Sequence, residues 1–319
     1  KTEATTNSDG STTKTETKSD GTVIETTTNP DGSTSKTESK TTTKSNGSTV
    51  ETVTKTNTGA DGSKSTSKTE TTINKDGSKT EAKTETKTEA GGTKSETKSE
   101  TKTDANGVTS GTETTKMTAP NGSTGTVKTD KDGKTEAAAK LSDKAIEDAK
   151  KNGEAVKAPV EVEATRNSST APTVSIELPK GAGETKVEIP VSNANSGTVA
   201  VLVHPDGTEE VVKNSLPTEN GIQLTVDGSA TVKIVDNSKD FIDTRDHWAK
   251  DAIDFVSARG LVNGMNDSTY APDNATTRAQ LWTILARQND ADLSGGNTWY
   301  EKAQNWAKAK GISDGTDPD

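Results

Sequence analysis

The sequence predicts a multidomain, mainly β chain whose last quarter is α-helical, on three observations. Turn-forming dipeptides recur at fixed spacing through the first 135 residues, with strict polar alternation between them. Short runs of alternating Val, Ile and Leu follow between residues 174 and 234. All eight aromatic residues lie at or beyond Phe241, in segments of helical period. The 319 residues accordingly divide into a Thr-rich 11/15-residue repeat region (1–135), a connecting helix (136–157), a small β domain (158–240), a helical repeat (241–290) and a second, truncated copy (291–319).

The repeat region is punctuated at Asp9-Gly10, Asp20-Gly21, Asp31-Gly32, Asn46-Gly47, Asp61-Gly62, Asp76-Gly77, Gly91-Gly92, Asn106-Gly107, Asn121-Gly122 and Asp132-Gly133. These dipeptides supply the positive φ angles of two-residue hairpin turns. Between them Thr and Ser alternate with Lys and Glu. Parallel stacking at the 15-residue repeat would align like charges, Lys79 on Lys94 and Glu81 on Glu96. Folding back at Gly91-Gly92 instead pairs Glu89 with Lys94, Lys87 with Glu96, Glu85 with Lys98 and Lys83 with Glu100. Such cross-strand pairs contribute roughly 0.2–1 kcal/mol each, which favours an antiparallel β-meander. Residues 1–135 hold only eight large apolar side chains, so a disordered Thr/Ser-rich stalk is the other reading.

Beyond Leu141, Ser142 is placed to cap a short helix carrying Ala145, Ile146 and Ala149, with Gly153 as its stop. Strands follow at Val174–Leu178, Val187–Val191, Val199–Val203 and up to Val211, and Ile222–Val226 meets Ala230–Ile234 across Asp227-Gly228. That spacing predicts a small β-sandwich with an aliphatic core.

The net charge is −10, and residues 1–135 are balanced at 20 lysines against 20 acids, so the surplus lies in residues 136–319. An acidic body argues against nucleic acid, whose phosphates need a basic surface. Cysteine is absent, and the chain's two histidines, His204 and His247, form no metal-ligand pattern. No metal, cofactor, membrane span or catalytic motif is expected, and the chain reads as non-enzymatic.

The C-terminal copies are "WAKDAIDFVSARGLVNG" from Trp248 and "WYEKAQNWAKAKGISDG" from Trp299. Each reads as an amphipathic helix ended by glycine. In the first, Thr277 is a plausible cap for a second helix carrying Leu281, Trp282, Ile284 and Leu285. Helical spacing alone places Trp248, Phe255 and Trp282 in a core more readily than on a sugar platform.

At Phe241, Asp243, His247, Trp248, Gly260, Gly264, Tyr270, Pro272, Thr277, Arg278 and Ala279 the chain resembles the S-layer homology domain, with Gln280 in place of that family's Glu. The resemblance covers residues 241–319. It implies α-helical repeats, usually three together, that bind secondary cell-wall polysaccharide bearing pyruvate ketals. On that basis the expected binding residues are Asp243, Trp248, Gly264, Thr277, Arg278 and Gln280. A planar guanidinium suits a ketal carboxylate, and an indole suits a sugar face. The second copy stops before its own Thr-Arg-Ala segment, so the chain reads as a fragment.

The expectation is a secreted Gram-positive surface protein, peptidoglycan-associated and non-covalently anchored, with the repeats projecting outward and self-assembly in a surface layer as a further possibility. Two alternatives stay open: the anchored fragment of an exported hydrolase, and an adhesin whose repeats bind glycans.

Overall fold

The structure is a computed structural model describing all 319 residues. At 41% strand and 13% helix it is mainly β, as the sequence predicts. It divides into two compact units: Lys1–Val162 with Pro172–Pro190 and Val226–Ala230, and Glu163–Ala171 with Val191–Thr225 and Thr231–Asp319.

In the first unit, strands β1 to β11 are Thr2–Thr6, Thr12–Thr17, Val23–Thr28, Thr34–Thr43, Thr49–Thr58, Lys64–Ile73, Lys79–Thr88, Lys94–Thr103, Thr109–Thr118, Thr124–Thr129 and Thr135–Lys140. Each pairs antiparallel with the next, the meander rather than the stalk. The charges are not arranged as the sequence predicts. Lys83 lies opposite Ser99, Glu85 opposite Thr97 and Lys87 opposite Ser95, one residue out of the expected register.

The turns explain the slip. At Asp76-Gly77, Asn74 N donates to Ser78 O (2.9 Å) and Gly77 N donates to Asn74 O (3.1 Å), with Gly77 at φ +84°. This is a three-residue loop, a type I turn closed by a left-handed glycine, and not a two-residue turn. One extra residue shifts the register by one and sets Lys83, Glu85 and Lys87 opposite hydroxyls. The acids and lysines instead pair along their own strand two residues apart: Lys83–Glu85 at 2.8 Å, Lys79–Glu81 at 3.0 Å, Lys102–Glu100 at 2.7 Å. Exposed pairs of this kind are individually weak. Threonine rows bridge neighbouring strands, as at Thr97–Thr115 (2.9 Å) and Thr103–Thr109 (3.0 Å).

No apolar side chain before Ala137 is buried, so most of this sheet is a single layer wetted on both faces. Its turns are tied by side chains. Asp76 Oδ1 accepts from the Ser78 hydroxyl (2.7 Å) and N–H (2.9 Å), and Asp9, Asp31 and Asp61 hold their following serines in the same way. These bonds, the serine hydroxyl's first, hold all four carboxyls below the usual Asp range. A depressed folded pKa contributes stability above the unfolded value, near 4, and loses it as pH falls through the folded one. The β signal in far-ultraviolet circular dichroism is therefore expected to hold from pH 7 to about 4 and decline below. Asp61→Asn with Asp76→Asn, which keeps the acceptor and removes the acid, should flatten that decline. An identical pH profile for the double variant would refute the assignment.

Near β10 the single layer becomes a covered one. Gly125 and Val127 lie opposite Ala139 and Ala137, and this strip of small residues lets residues 158–160 cross close above it. A Cβ on Gly125 would stand 1.8 Å from Pro159 O. Helix α1 (Asp143–Asn152) has the predicted cap, with Ser142 Oγ accepting from Ala145 N (3.1 Å), and the predicted stop, with Gly153 at φ +71°. Its buried face is Ala145, Ile146 and Ala149, as expected. Strand β12 (Val156–Lys157) pairs in parallel with β14 (Glu184–Pro190), and β13 (Thr173–Glu177) pairs in parallel with β11.

In the second unit β15 (Thr198–Val203) pairs with β16 (Glu209–Val211) and, on its other side, with β19 (Ala230–Asp236). A strand absent from the sequence prediction, β17 (Leu216–Thr218), pairs with β18 (Gly221–Asp227). Three helices follow: α2 (Lys250–Ala258), α3 (Arg278–Gln288) and α4 (Glu301–Ala309). Val199, Val201 and Val235 pack with Ala171 and with Ala258 of α2, so the first helical repeat shares a core with these strands. Arg259 fixes that junction. It is 1% exposed and donates to Ser215 O (2.6 and 2.9 Å), Thr198 O (3.0 Å), Ser196 O (3.3 Å) and Phe255 O (3.1 Å). Alanines allow α3 and α4 to approach closely, with Ala279, Trp282 and Ala286 against Ala303 and Ala307. Leu281, one of the apolar residues this helix carries, is about half exposed, because Thr283 and Ala286 take the buried side of the turn.

Candidate functional site

The residues singled out from the sequence separate into those that shape the first helical repeat and those that face water. Asp243, in the single 3-10 turn Ile242–Thr244, accepts from Tyr270 N (3.0 Å) and Ala271 N (2.7 Å). These backbone bonds, Tyr270's first, hold its carboxyl below the usual range, and they pin Ala271 at φ +61°. Gly264 has φ +77°, and a Cβ there would meet Phe241 Cε1 at 2.9 Å and Thr269 O at 3.0 Å. Its lack of a side chain lets the buried Phe241 ring pack beneath the loop, 5.4 Å from Tyr270 centre to centre.

Thr277 and Gln280 form a reciprocal cap on α3. Thr277 Oγ1 accepts from Gln280 N (3.3 Å), and Gln280 Oε1 accepts from Thr277 N (2.9 Å). An amide oxygen does here what a glutamate would, so the substitution keeps the helix start and lowers the negative charge beside Arg278.

Arg278 opens α3 and is 41% exposed at its side chain. Its guanidinium donates to Ser313 Oγ (3.0 Å), Asp314 Oδ1 (3.1 Å) and Thr316 Oγ1 (3.5 Å), with Asp317 Oδ2 at 4.0 Å. On its other side it lies 5.5 Å from the centre of the buried Trp282 ring. Trp248 is 91% exposed, against the helical-period expectation of a core residue. It precedes α2 and leans on His247 at 5.5 Å between ring centres, while His247 Nδ1 accepts from Ala249 N (3.2 Å) and Nε2 faces Asp273 Oδ1 (3.4 Å). Trp299, its counterpart in the second copy, is also exposed. Phe255 is half-buried, with the Arg259 guanidinium 3.8 Å over its ring.

Sequence reasoning missed Arg259 and the Ser313–Asp317 segment. Arg259 had no legible partner, since its acceptors are backbone carbonyls 44 to 63 residues away and one within α2. The second segment carried a signal in "SDGTDPD", three acids among turn formers.

Chemically the arrangement offers a guanidinium at a helix start and an exposed indole: hydrogen-bond donors for an anion and a flat apolar surface. His204, the other histidine, lies on the surface beside Glu210 (3.2 Å).

Residues 240–281 match the family model of the S-layer homology domain. Among curated proteins the chain is similar to an amylopullulanase of Thermoanaerobacterium thermosulfurigenes, 35% identical over 86 residues, 24% of this chain and 5% of that protein. It is similar to endo-1,4-beta-xylanase A of Thermoanaerobacterium saccharolyticum, 34% identical over 84 residues, 24% of this chain and 7% of that protein. Cell surface glycoprotein 1 of Acetivibrio thermocellus is 28% identical over 125 residues, 38% of this chain and 5% of that protein. The chain spans less than a tenth of the length of these relatives. No solved structure matches it. The chain carries an S-layer homology domain, the module of secreted proteins anchored to the bacterial cell wall.

Proposed function

We propose that this chain holds a surface protein on the cell wall by binding secondary cell-wall polysaccharide, with Arg278 receiving a pyruvate ketal carboxylate and Trp248 stacking on a sugar face. Asp243, Gly264, Thr277 and Gln280 frame the site by fixing the loop and the helix start beside those two side chains. The observation that carries the reading is the pair of water-facing groups, the 91% exposed Trp248 and Arg278 at the start of α3. The repeat sheet is the spacer. At about 4.8 Å per strand, β1 to β11 reach roughly 50 Å. The S-layer homology domain is an anchoring module and contributes no catalysis.

The test is co-sedimentation with Gram-positive walls before and after hydrofluoric acid strips their polysaccharide. Binding is expected to disappear on stripping. Arg278→Ala should weaken it by about tenfold or more, since a hydrogen bond to a charged group contributes about 1.5–3 kcal/mol. Trp248→Ala should weaken it as well. Equal binding to stripped walls would overturn the ligand. Similarity to an amylopullulanase and a xylanase favours a second reading, in which the anchored protein is an exported hydrolase whose catalytic domain belongs to a longer chain. A catalytic domain encoded next to this segment in the complete gene would support it.

A further inference from the structure

The guanidinium of Arg278 is already engaged by the chain's own acids. Asp314 Oδ1 accepts from Nη2 at 3.1 Å, Asp317 Oδ2 lies 4.0 Å from Nη1, and the Ser313 and Thr316 hydroxyls accept from the same group. Next to it, Ala279 N in the first turn of α3 donates to Pro318 O at 2.9 Å. One short segment therefore supplies anions to the arginine and an acceptor to the free helix start, the two things an incoming carboxylate would supply. The segment is held in that shape by its own turn. Asp314 Oδ1 also accepts from Thr316 N (2.9 Å) and Oγ1 (2.9 Å), Gly315 has φ +78°, and Gln304 of α4 donates to Gly315 O (2.6 Å). It is thus presented by the second copy rather than trailing loosely.

We propose that Ser313–Pro318 of the second repeat is an internal counter-anion for the first repeat's site, displaced when an anionic saccharide binds; the inference rests on the reading of Arg278 given above. Binding is then an exchange of one carboxylate for another. A neutral sugar has nothing to offer Arg278 that compensates for the loss of Asp314 and Asp317, so the segment selects for acidic saccharides. The apparent affinity is lowered by the fraction of molecules in which the segment is docked. Asp314 and Asp317 act on the ligand through Arg278 and are positioning residues.

The experiment is calorimetric titration of the whole chain with a pyruvate ketal of a methyl hexopyranoside, and with the same hexoside lacking the ketal. Asp314→Asn with Asp317→Asn keeps the side-chain shape and removes the charge. That variant is expected to bind the ketal roughly three- to tenfold more tightly than the native chain, the range of two exposed ion pairs. It should also discriminate less against the neutral hexoside. In an Arg278→Ala background the two substitutions should change nothing, which a merely structural role would not produce. Without ligand, hydrogen exchange at Ala279 N–H should quicken in both the Asn variant and Arg278→Ala. Unchanged or weaker ketal binding by the Asn variant, with Arg278→Ala still defective, would overturn the exchange and leave the anchoring site standing. No ketal or wall binding by any variant would overturn both.

Discussion

Arg259→Met is expected to unfold the second unit's junction between strands and helices, with a loss of about 3–5 kcal/mol. The guanidinium is 1% exposed, has no acid beside it, and divides five hydrogen bonds among four backbone carbonyls. Burial pushes its pKa down to about 10, so it remains a cation at neutral pH. Methionine fills much of the volume and removes every donor, leaving Ser215 O and Thr198 O buried without their partner. A hydrogen bond to a charged group contributes about 1.5–3 kcal/mol, and removing the buried cation's own desolvation cost offsets much of the sum over five bonds. Arg259→Lys should fare little better, because one ammonium cannot span acceptors set out for a planar fork. Thermal unfolding followed by tryptophan fluorescence reads this unit, since every tryptophan lies in it. A midpoint within about 2 °C of the native chain would show that the carbonyls find other donors.

The second large effect is expected at Gly125. An added Cβ would meet Pro159 O at 1.8 Å, Pro159 C at 2.6 Å and Val160 Cγ1 at 2.8 Å. The first two are backbone atoms, so no rotamer change relieves the contact. The segment must lift from the sheet, exposing Val160 and Ala158, both buried. Gly125→Ala should therefore destabilise the first unit by about 3 kcal/mol, the upper range for overpacking, and Gly125→Val by more. Urea titration followed by far-ultraviolet circular dichroism measures it. Gly107→Ala is the contrast, a turn glycine with open space around its Cβ but φ +85°, where only the backbone conformation is strained. If Gly125→Ala cost no more than Gly107→Ala, the close crossing at Pro159 would be wrong.

The meander was legible because its signal is local. Turn dipeptides 11 and 15 residues apart set strand length, and period-two alternation set strand type. Register was not, although its cue is present. Ser or Thr follows the glycine at Ser11, Thr22, Ser33, Ser48, Ser63, Ser78 and Ser123, two places after an Asp or Asn that binds it. That pairing marks the longer loop, whereas the charge pattern alone fits the shorter one. The caps at Ser142 of the connecting helix and Thr277 of the helical repeat were readable from residue type. Trp248 was not, since helical period says which side chains share a face and leaves open whether anything covers that face. The loop-fixing role of Asp243 was not legible either, because its partners sit 27 and 28 residues away.

The coreless sheet also has a consequence for inheritance. Each of its 10-residue strands touches only the strand before and the strand after, so no distant contact fixes how many there are. Duplication or deletion of a 30-residue stretch of gene, two strands with their turns, restores the direction of the chain and the identity of the flanking strands. It would lengthen or shorten the sheet by about 10 Å and disturb nothing at either end. A 15-residue change would reverse the strand polarity and fail. Recombination between such similar segments can thus vary the reach of this protein from strain to strain in even steps while the wall-binding end is inherited unchanged.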